Sequence, residues 1–138
     1  MVEFEDFISS GEVRKKEVDK NLNRVLIESA LDRKLFLEKE IKTPKYVIEN
    51  VYDTLRELIE ARLALEGYKS YSHQATILFL KKFKQFNEFE ISFLENLRKF
   101  RHGLKYYGKL ASVSDSLKVL KFFKDIFSKL KIFAENKK

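Results

Sequence analysis

Apolar residues recur along this chain every three or four positions, which is the spacing of a helix with one buried side. The first such segment covers residues 12–41, after a short piece that ends near Gly11. It stops at Thr43 and Pro44, because the residue before a proline disfavours helical angles and proline suits a first helical turn. The residues predicted to share its buried face are Val18, Leu22, Val25, Leu26, Ser29 and Phe36.

Proline and glycine delimit a second predicted helix over residues 44–66. Gly67 follows as its C-terminal cap, since glycine adopts the left-handed conformation of a cap without steric cost. A regular apolar series gives this helix one inward face. Its members are Ile48, Val51, Tyr52, Leu55, Ile59 and Leu63.

Three further helices are predicted in the second half of the chain. The third starts at Ser70 or Ser72, either of which can cap it, and extends to about residue 85. The fourth covers about residues 87–107, and the fifth starts near Ser114 with Asp115 in its first turn and a frayed tail over residues 135–138. Five helices with short connections predict an all-α fold, an antiparallel up-and-down bundle of four to five helices, as a single domain over residues 1–138.

Composition narrows the classes of function. Without cysteine there is no disulfide framework and no thiolate site, and two histidines make a transition-metal site improbable. Glycine-rich phosphate loops, metalloprotease motifs and nucleophile elbows are also missing, so we expect no metal and no cofactor. No apolar run reaches the ~20 residues that span a bilayer, and the acidic N-terminus lacks signal-peptide features. We therefore expect a cytoplasmic protein with no membrane partner.

The whole chain has a net charge of +7, and its positive charge is concentrated in the last third. Residues 98–138 hold 12 Lys and Arg against 3 Asp and Glu, a net charge of +9, whereas residues 1–97 hold 16 against 18, a net charge of −2. This asymmetry favours a polyanionic partner such as a nucleic acid, an acidic membrane or an acidic protein. A lysine-rich helix that is only solvated would produce the same asymmetry.

The fourth predicted helix carries the most informative residues, because its helical wheel separates an apolar face from a basic one. The predicted core face consists of Phe93, Leu97, Phe100, Leu104, Tyr107 and Ala111. The neighbouring basic face consists of Arg98, Arg101, His102, Lys105 and Lys109, with Tyr106 at its edge. Like charges at this spacing repel each other, and a bound phosphate would relieve that repulsion. Acidic residues of another helix, forming a structural ion-pair network, would do the same.

Three further residues have two interpretations each. His102 is a candidate for acid–base chemistry because it titrates near neutrality, or it is an ordinary polar helix residue. Gly103 costs about 1 kcal/mol inside a helix relative to alanine, so it either permits a close approach or marks a kink. His73, at a predicted helix start, is better suited to capping or surface packing than to chemistry.

Two segments of the chain carry a family resemblance. They are residues 61–83, ARLALEGYKSYSHQATILFLKKF, and residues 97–108, LRKFRHGLKYYG. The first is similar to the second helix of the HEPN superfamily followed by its polar loop. The second is similar to the last motif helix of that family, in which an arginine precedes a polar residue and then a histidine or tyrosine. The resemblance implies a helical bundle that forms a homodimer, with the motif helices facing each other across a cleft. Family members include metal-independent ribonucleases of toxin–antitoxin pairs, helical partners of small nucleotidyltransferases, and nucleotide-binding proteins.

Mapped onto this chain, the family motif assigns Arg101 as the catalytic arginine and His102 as the polar residue after it. Tyr106 stands where the catalytic histidine is expected, and a phenol with a pKa near 10 is a poor general base. An active site would use His102 to take a proton from a ribose 2′-hydroxyl, and Arg101 with Arg98 to stabilise the phosphoryl oxygens. An inactive one would still bind RNA or a nucleotide through Arg98, Lys105 and Lys109. The alternative is a non-catalytic interaction module, the partner of a small nucleotidyltransferase.

Overall fold

The computed structural model describes residues 2–39 and 42–135. Apart from two three-residue strands, the regular structure in these ranges is helical, so the all-α prediction is confirmed. A 3₁₀ turn, Phe79–Lys82, directly follows the short helix that ends at Leu78. In chain order the elements are α1 (Phe4–Ser10), β1 (Val13–Lys15), α2 (Lys20–Lys39), α3 (Pro44–Glu66), β2 (Tyr68–Ser70), α4 (His73–Leu78), α5 (Glu88–Tyr106) and α6 (Val113–Glu135).

The four long helices α2, α3, α5 and α6 alternate in direction. Near the start of α2, the Asn23 side-chain amide donates to the carbonyls of Ala61 and Ala134, at 2.8 Å each, which lie near the ends of α3 and α6. At the start of α5, Glu90 pairs with Lys129 of α6 at 2.8 Å. These contacts make α2 antiparallel to α3 and α6, and α5 antiparallel to α6. The bundle therefore runs up and down, with α1 as a short helix beyond those predicted.

Helix α3 is the centre of the bundle and packs against α2, α5 and α6. All six residues predicted for its inward face are fully buried, and so are several on its other sides, including Thr54, Leu58 and Ala61. Its predicted bounds are also confirmed, with Pro44 in the first turn and Gly67 as a left-handed C-terminal cap. Local signals were sufficient here because proline, glycine and the apolar period all indicate the same helix.

The predicted start of the first long helix at Glu12 is wrong, because α2 begins only at Lys20. Residues 13–15 form strand β1, which pairs antiparallel with β2 so that Val13 lies opposite Ser70 and Lys15 opposite Tyr68. The hydrogen-bond partners are more than 50 residues away, which no local pattern reveals. The predicted end of this helix near residue 41 lies outside the described residues, and Lys39 is its last described helical residue.

The predicted buried face of that helix also needs correction. Val18, Val25 and Phe36 are exposed, whereas Leu22, Leu26 and Ser29 are half-buried. The fully buried residues of α2 are Ile27, Ala30 and Leu37. Val18 lies before the helix begins, so it cannot belong to the buried face of α2. The face that is buried is therefore displaced from the predicted one.

The third and fifth predicted helices differ from the structure at their ends. Helix α4 stops at Leu78, well short of residue 85, although Ser72 caps it as predicted and accepts a hydrogen bond from the Ala75 amide at 3.1 Å. Helix α6 begins at Val113 and continues to Glu135. The remainder of the predicted frayed tail, residues 136–138, lies outside the described residues.

Gly67 joins the helical bundle to the small sheet at a point where the backbones approach closely. Its φ is +80°, and a Cβ built there would lie 2.8 Å from the Lys16 carbonyl oxygen. The Lys16 amide also donates to the Gly67 carbonyl at 2.7 Å. Glycine is therefore required at position 67 for two reasons, the positive φ and the closeness of the Lys16 backbone.

We expect Gly67→Ala to lower the free energy of unfolding by about 2–3 kcal/mol, since it combines left-handed strain with a backbone clash. Gly11→Ala is the matched control, because Gly11 caps α1 with a φ of +86° and has nothing within 4 Å of a built Cβ. The control should lose only the strain, about 1 kcal/mol. Urea denaturation followed by circular dichroism measures both, and equal losses would contradict the close approach.

Candidate functional site

Helix α5 is oriented by a capping box and by three buried leucines. The Asn87 side chain accepts a hydrogen bond from the Glu90 amide at 2.8 Å, and the Glu90 carboxylate accepts one from the Asn87 amide at 3.0 Å. Leu94, Leu97 and Leu104 are buried in the core. These contacts fix the rotation of the helix and therefore decide where each residue of the predicted basic face points.

Arg98 is paired with a carboxylate of its own helix. Its Nε donates to one oxygen of Glu95 at 2.9 Å, and a terminal nitrogen donates to the other at 2.6 Å. This two-point contact raises the pKa of the guanidinium further above its ordinary value. Two of the five N–H donors of this guanidinium are thus already used within one turn of helix.

Arg101 faces α3 and is paired with Asp53. A terminal nitrogen donates to the Asp53 carboxylate at 3.2 Å, and the exposed fractions of the two side chains are 14% and 16%. The guanidinium carbon also lies 5.7 Å from the centre of the Tyr52 ring. Asp53 accepts a second contact from Arg56 at 3.4 Å. The contact between Arg101 and Asp53 therefore joins α5 to the central helix.

Buried polar atoms without a hydrogen-bond partner collect around this ion pair. In the described ranges they are the Tyr52 hydroxyl, the Arg56 Nε and the Arg101 Nε. Burial raises the pKa of Tyr52, so its phenol is neutral at physiological pH. His73 lies 6.0 Å from the Tyr52 ring; partial loss of hydration lowers its pKa, and Arg56 lowers it further. The cluster balances arginines against carboxylates and leaves His73 neutral.

The C-terminal end of α5 is exposed. The His102 ring lies 4.8 Å from the Tyr106 ring and 5.4 Å from the Tyr107 ring, and the Lys105 ammonium lies 5.8 Å from the Tyr106 ring. The exposed fractions of Tyr106 and Tyr107 are 60% and 77%. The prediction that Tyr107 belongs to the core face is therefore wrong, because α5 ends at Tyr106 and the chain turns away from the core.

Gly103 accommodates Lys109, which folds back along the helix. A Cβ built at Gly103 would lie 3.1 Å from Lys109 Cδ, and the Lys109 ammonium lies 5.0 Å from the centre of the Phe100 ring. The Lys109 amide also donates to the Gly103 carbonyl at 3.2 Å. The group that lies against Gly103 is therefore the Lys109 side chain of the same chain.

The six predicted site residues thus fall into two groups. Arg98 and Arg101 are occupied by Glu95 and Asp53. The other four, His102, Lys105, Tyr106 and Lys109, lie towards the exposed end of α5, and none of their side chains forms an ion pair with another residue of the described ranges.

Two classes of site can be checked over residues 2–39 and 42–135. No group of three His, Cys, Asp or Glu side chains is arranged to hold a metal ion there. No helix in these ranges has both the length and the apolar content required to cross a membrane.

Comparison with known proteins adds no family assignment. No protein-family model matches the chain, and neither does any curated protein or any solved structure. The resemblance of residues 61–83 and 97–108 to the HEPN superfamily therefore stays a prediction, and the site must be interpreted from its own geometry.

Sequence reasoning missed the α3 half of the arginine cluster. Asp53 and Arg56 flank the predicted core positions Tyr52 and Leu55, where a charged side chain needs a partner when it is buried. That requirement was the available signal, but it does not say which residue of another helix supplies the partner.

We expect Asp53→Asn to lower the free energy of unfolding by about 2–3 kcal/mol, because it leaves two partly buried guanidiniums without their shared carboxylate. The double variant Asp53→Asn/Arg101→Met should lose at least ~1 kcal/mol less than the sum of the single variants. Asp125→Asn is the control, since its pair with Lys121 is solvent-exposed and contributes at most about 0.5 kcal/mol. Strict additivity in urea denaturation would show that the two residues are not coupled.

Proposed function

We propose that this chain binds single-stranded RNA, or the phosphate of a nucleotide, through the exposed end of α5. The observation that carries the proposal is the alternation of exposed rings with basic side chains that form no ion pair among the described residues. The residues involved are His102, Lys105, Tyr106, Tyr107 and Lys109.

Single-stranded nucleic acids are bound by this combination, because lysines neutralise the phosphates while aromatic rings stack on the bases. Tyr106 and Tyr107 are more than half exposed, which would be unfavourable for so much apolar surface unless a partner covers it. The net charge of +9 over residues 98–138 supplies long-range attraction for a polyanion. Base stacking and phosphate contact are thus available on the same short stretch of chain.

Binding is better supported than cleavage. Cleavage by the HEPN-type mechanism would use Arg101 and Arg98 to stabilise the charge on the phosphoryl oxygens, yet these arginines already neutralise Asp53 and Glu95. His102 is exposed, but Tyr106 is a poor second acid–base group. The geometry therefore favours Lys105 and Lys109 as phosphate ligands over the two arginines.

We expect Lys105→Gln/Lys109→Gln to weaken binding of a fluorescent single-stranded oligoribonucleotide about tenfold at low salt, measured by anisotropy. The slope of log affinity against log salt should fall by about 1.4, since each lost phosphate contact on a single strand removes ~0.7. Lys16→Gln/Lys69→Gln is the matched control. It removes the same charge beside the β1–β2 sheet, at the opposite end of the bundle. An equal loss in the control would reduce the effect to net charge.

The tyrosines should act through stacking and not through charge. We expect Tyr106→Ala and Tyr107→Ala each to weaken RNA binding by roughly 1 kcal/mol or more, without changing the salt slope. Tyr46→Ala, an exposed tyrosine near the start of α3, is the control and should bind like the wild type. Unchanged affinity in both test variants would sink the stacking part of the proposal.

The same samples test for catalysis when RNA is incubated with protein in the presence of EDTA. The binding proposal expects intact RNA. Cleavage that disappears in both Arg101→Ala and His102→Ala would instead assign a metal-independent ribonuclease, with Arg101 released from Asp53 in the complex.

One observation favours the alternative of a helical interaction module. Leu110, Val113 and Leu117 are exposed around the connection from α5 to α6, and 88% of the Leu110 side-chain surface is accessible. Exposed apolar residues grouped in this way are typical of protein–protein contacts, such as those of a homodimer or a nucleotidyltransferase partner. RNA binding that is unaffected by both the lysine and the tyrosine variants would favour this alternative.

A further inference from the structure

A cavity of about 460 Å³ opens between α5 and α6, beside the exposed end of α5. This volume lies within the range of roughly 300–1,000 Å³ that is usual for small-molecule sites. Leu97 and Val119 form part of its wall and are almost completely buried, so its floor belongs to the core. The apolar residues that line the cavity floor are Phe93, Leu97, Phe100 and Val119.

The aromatic lining is held in place by stacking. The Phe93 ring lies parallel to the Phe122 ring, with centroids 4.0 Å apart and planes inclined by 14°. Phe122 therefore covers one face of Phe93. The Phe89 ring also lies 6.0 Å from it, and Phe93 still lines the cavity. A planar ligand ring could continue this stack, which favours an aromatic group over a flexible chain.

The rim of the cavity is polar and carries a net positive charge. Lys109 and Lys118 supply two cations, and Asp115 supplies one carboxylate. The Asp115 carboxylate accepts a hydrogen bond from the Ser112 amide at 3.0 Å, and its pKa is lowered mainly by Ser112, with Lys118 and Lys109 contributing. Asn96 adds a carboxamide that can both donate and accept.

We infer that this cavity holds the base of a nucleotide whose 5′-phosphate lies on Lys109 and Lys118. The inference rests on the proposed function and names the unit that the site recognises. The base would stack in the aromatic lining and pair its polar edge with Asn96, while the phosphate meets the two ammonium groups. An aliphatic acid would satisfy the lysines but could neither stack on the aromatic lining nor use the donor and acceptor of the Asn96 carboxamide.

The position of Lys109 supports this assignment because it is built into the fold. Gly103 leaves room for the Lys109 side chain to lie along α5, and Phe100, part of the cavity floor, lies under its ammonium group. The cation is therefore placed at the edge of the cavity before any ligand arrives, which lowers the entropic cost of binding a phosphate there.

The test titrates the wild-type protein with ribose 5-phosphate and with AMP, GMP, CMP and UMP, using isothermal calorimetry. At least one nucleotide should bind roughly tenfold more tightly than ribose 5-phosphate, since only the nucleotides place a base in the cavity. Asn96→Leu should abolish the preference among bases without changing the affinity for ribose 5-phosphate. Asn96 is exposed on α5, so this change leaves the core intact.

A matched pair of variants tests the phosphate contact. Lys118→Gln should weaken nucleotide binding about fivefold, whereas Lys124→Gln, on the same helix but outside the cavity lining, should leave it unchanged. Thermal melts of both variants confirm folding. Equal losses in the two variants would overturn the assignment of Lys118.

The outcomes separate this inference from the proposed function. Equal affinity for ribose 5-phosphate and all four nucleotides would overturn the base site, while RNA binding that depends on Lys105 and Lys109 would still uphold the proposed function. A base-selective nucleotide site in a protein that does not bind RNA would support the cavity and refute RNA binding. Octanoate that displaces the nucleotide at a lower concentration than ribose 5-phosphate would assign the cavity to an aliphatic acid and overturn the inference.

Discussion

The central position of α3 is the constraint on which the rest of the molecule depends. Since α2, α5 and α6 cover this helix on most of its sides, its charged residues cannot all reach solvent. Asp53 lies in the contact with α5 and takes Arg101 as its partner, because an isolated buried carboxylate would be strongly unfavourable. The need to neutralise one residue of α3 therefore withdraws from solvent the arginine that the basic face of α5 would otherwise offer to a ligand.

Arg62 and Arg101 are each paired with a carboxylate, but their other contacts differ. Arg62 donates to Glu66 and to the Phe133 carbonyl, at 2.9 Å each, and lies over the rings of Phe83 and Phe133. Arg101 has one contact to Asp53, and its Nε is buried without a partner. Arg62 therefore has the environment of a purely structural residue. Arg101 has fewer hydrogen-bond partners, and the carboxylate that α3 offers it, Asp53, is shared with Arg56.

Elements with local sequence signals could be predicted from the sequence, whereas features that depend on distant parts of the chain could not. Helices α3 and α5 have strong local signals, such as Pro44, Gly67 and the Asn87 capping box, and their bounds follow from these signals alone. Strand β1 has no local signal, since its stability comes from a partner strand far along the chain. The basic face of α5 was likewise visible in the helical period, but the carboxylate opposite Arg101 depends on how α5 packs against α3, which periodicity does not specify.

Cations that form ion pairs and cations that do not are separated along α5 and the connection that follows it. The middle of α5 is held by Asp53 and Glu95 and is close to electrically neutral, so it can pack against α3 without repelling it. Lys105 near its end and Lys109 in the connection that follows form no ion pair in the described ranges, and Gly103 lets Lys109 reach the wall of the cavity beside α6. A polyanion attracted by the positive last third of the chain would find exposed rings and an apolar cavity beside these two lysines. Basic side chains, exposed rings and a cavity coincide at this end because the chain must turn there from α5 into α6, and a turning chain leaves side chains uncovered that a continuous helix would bury.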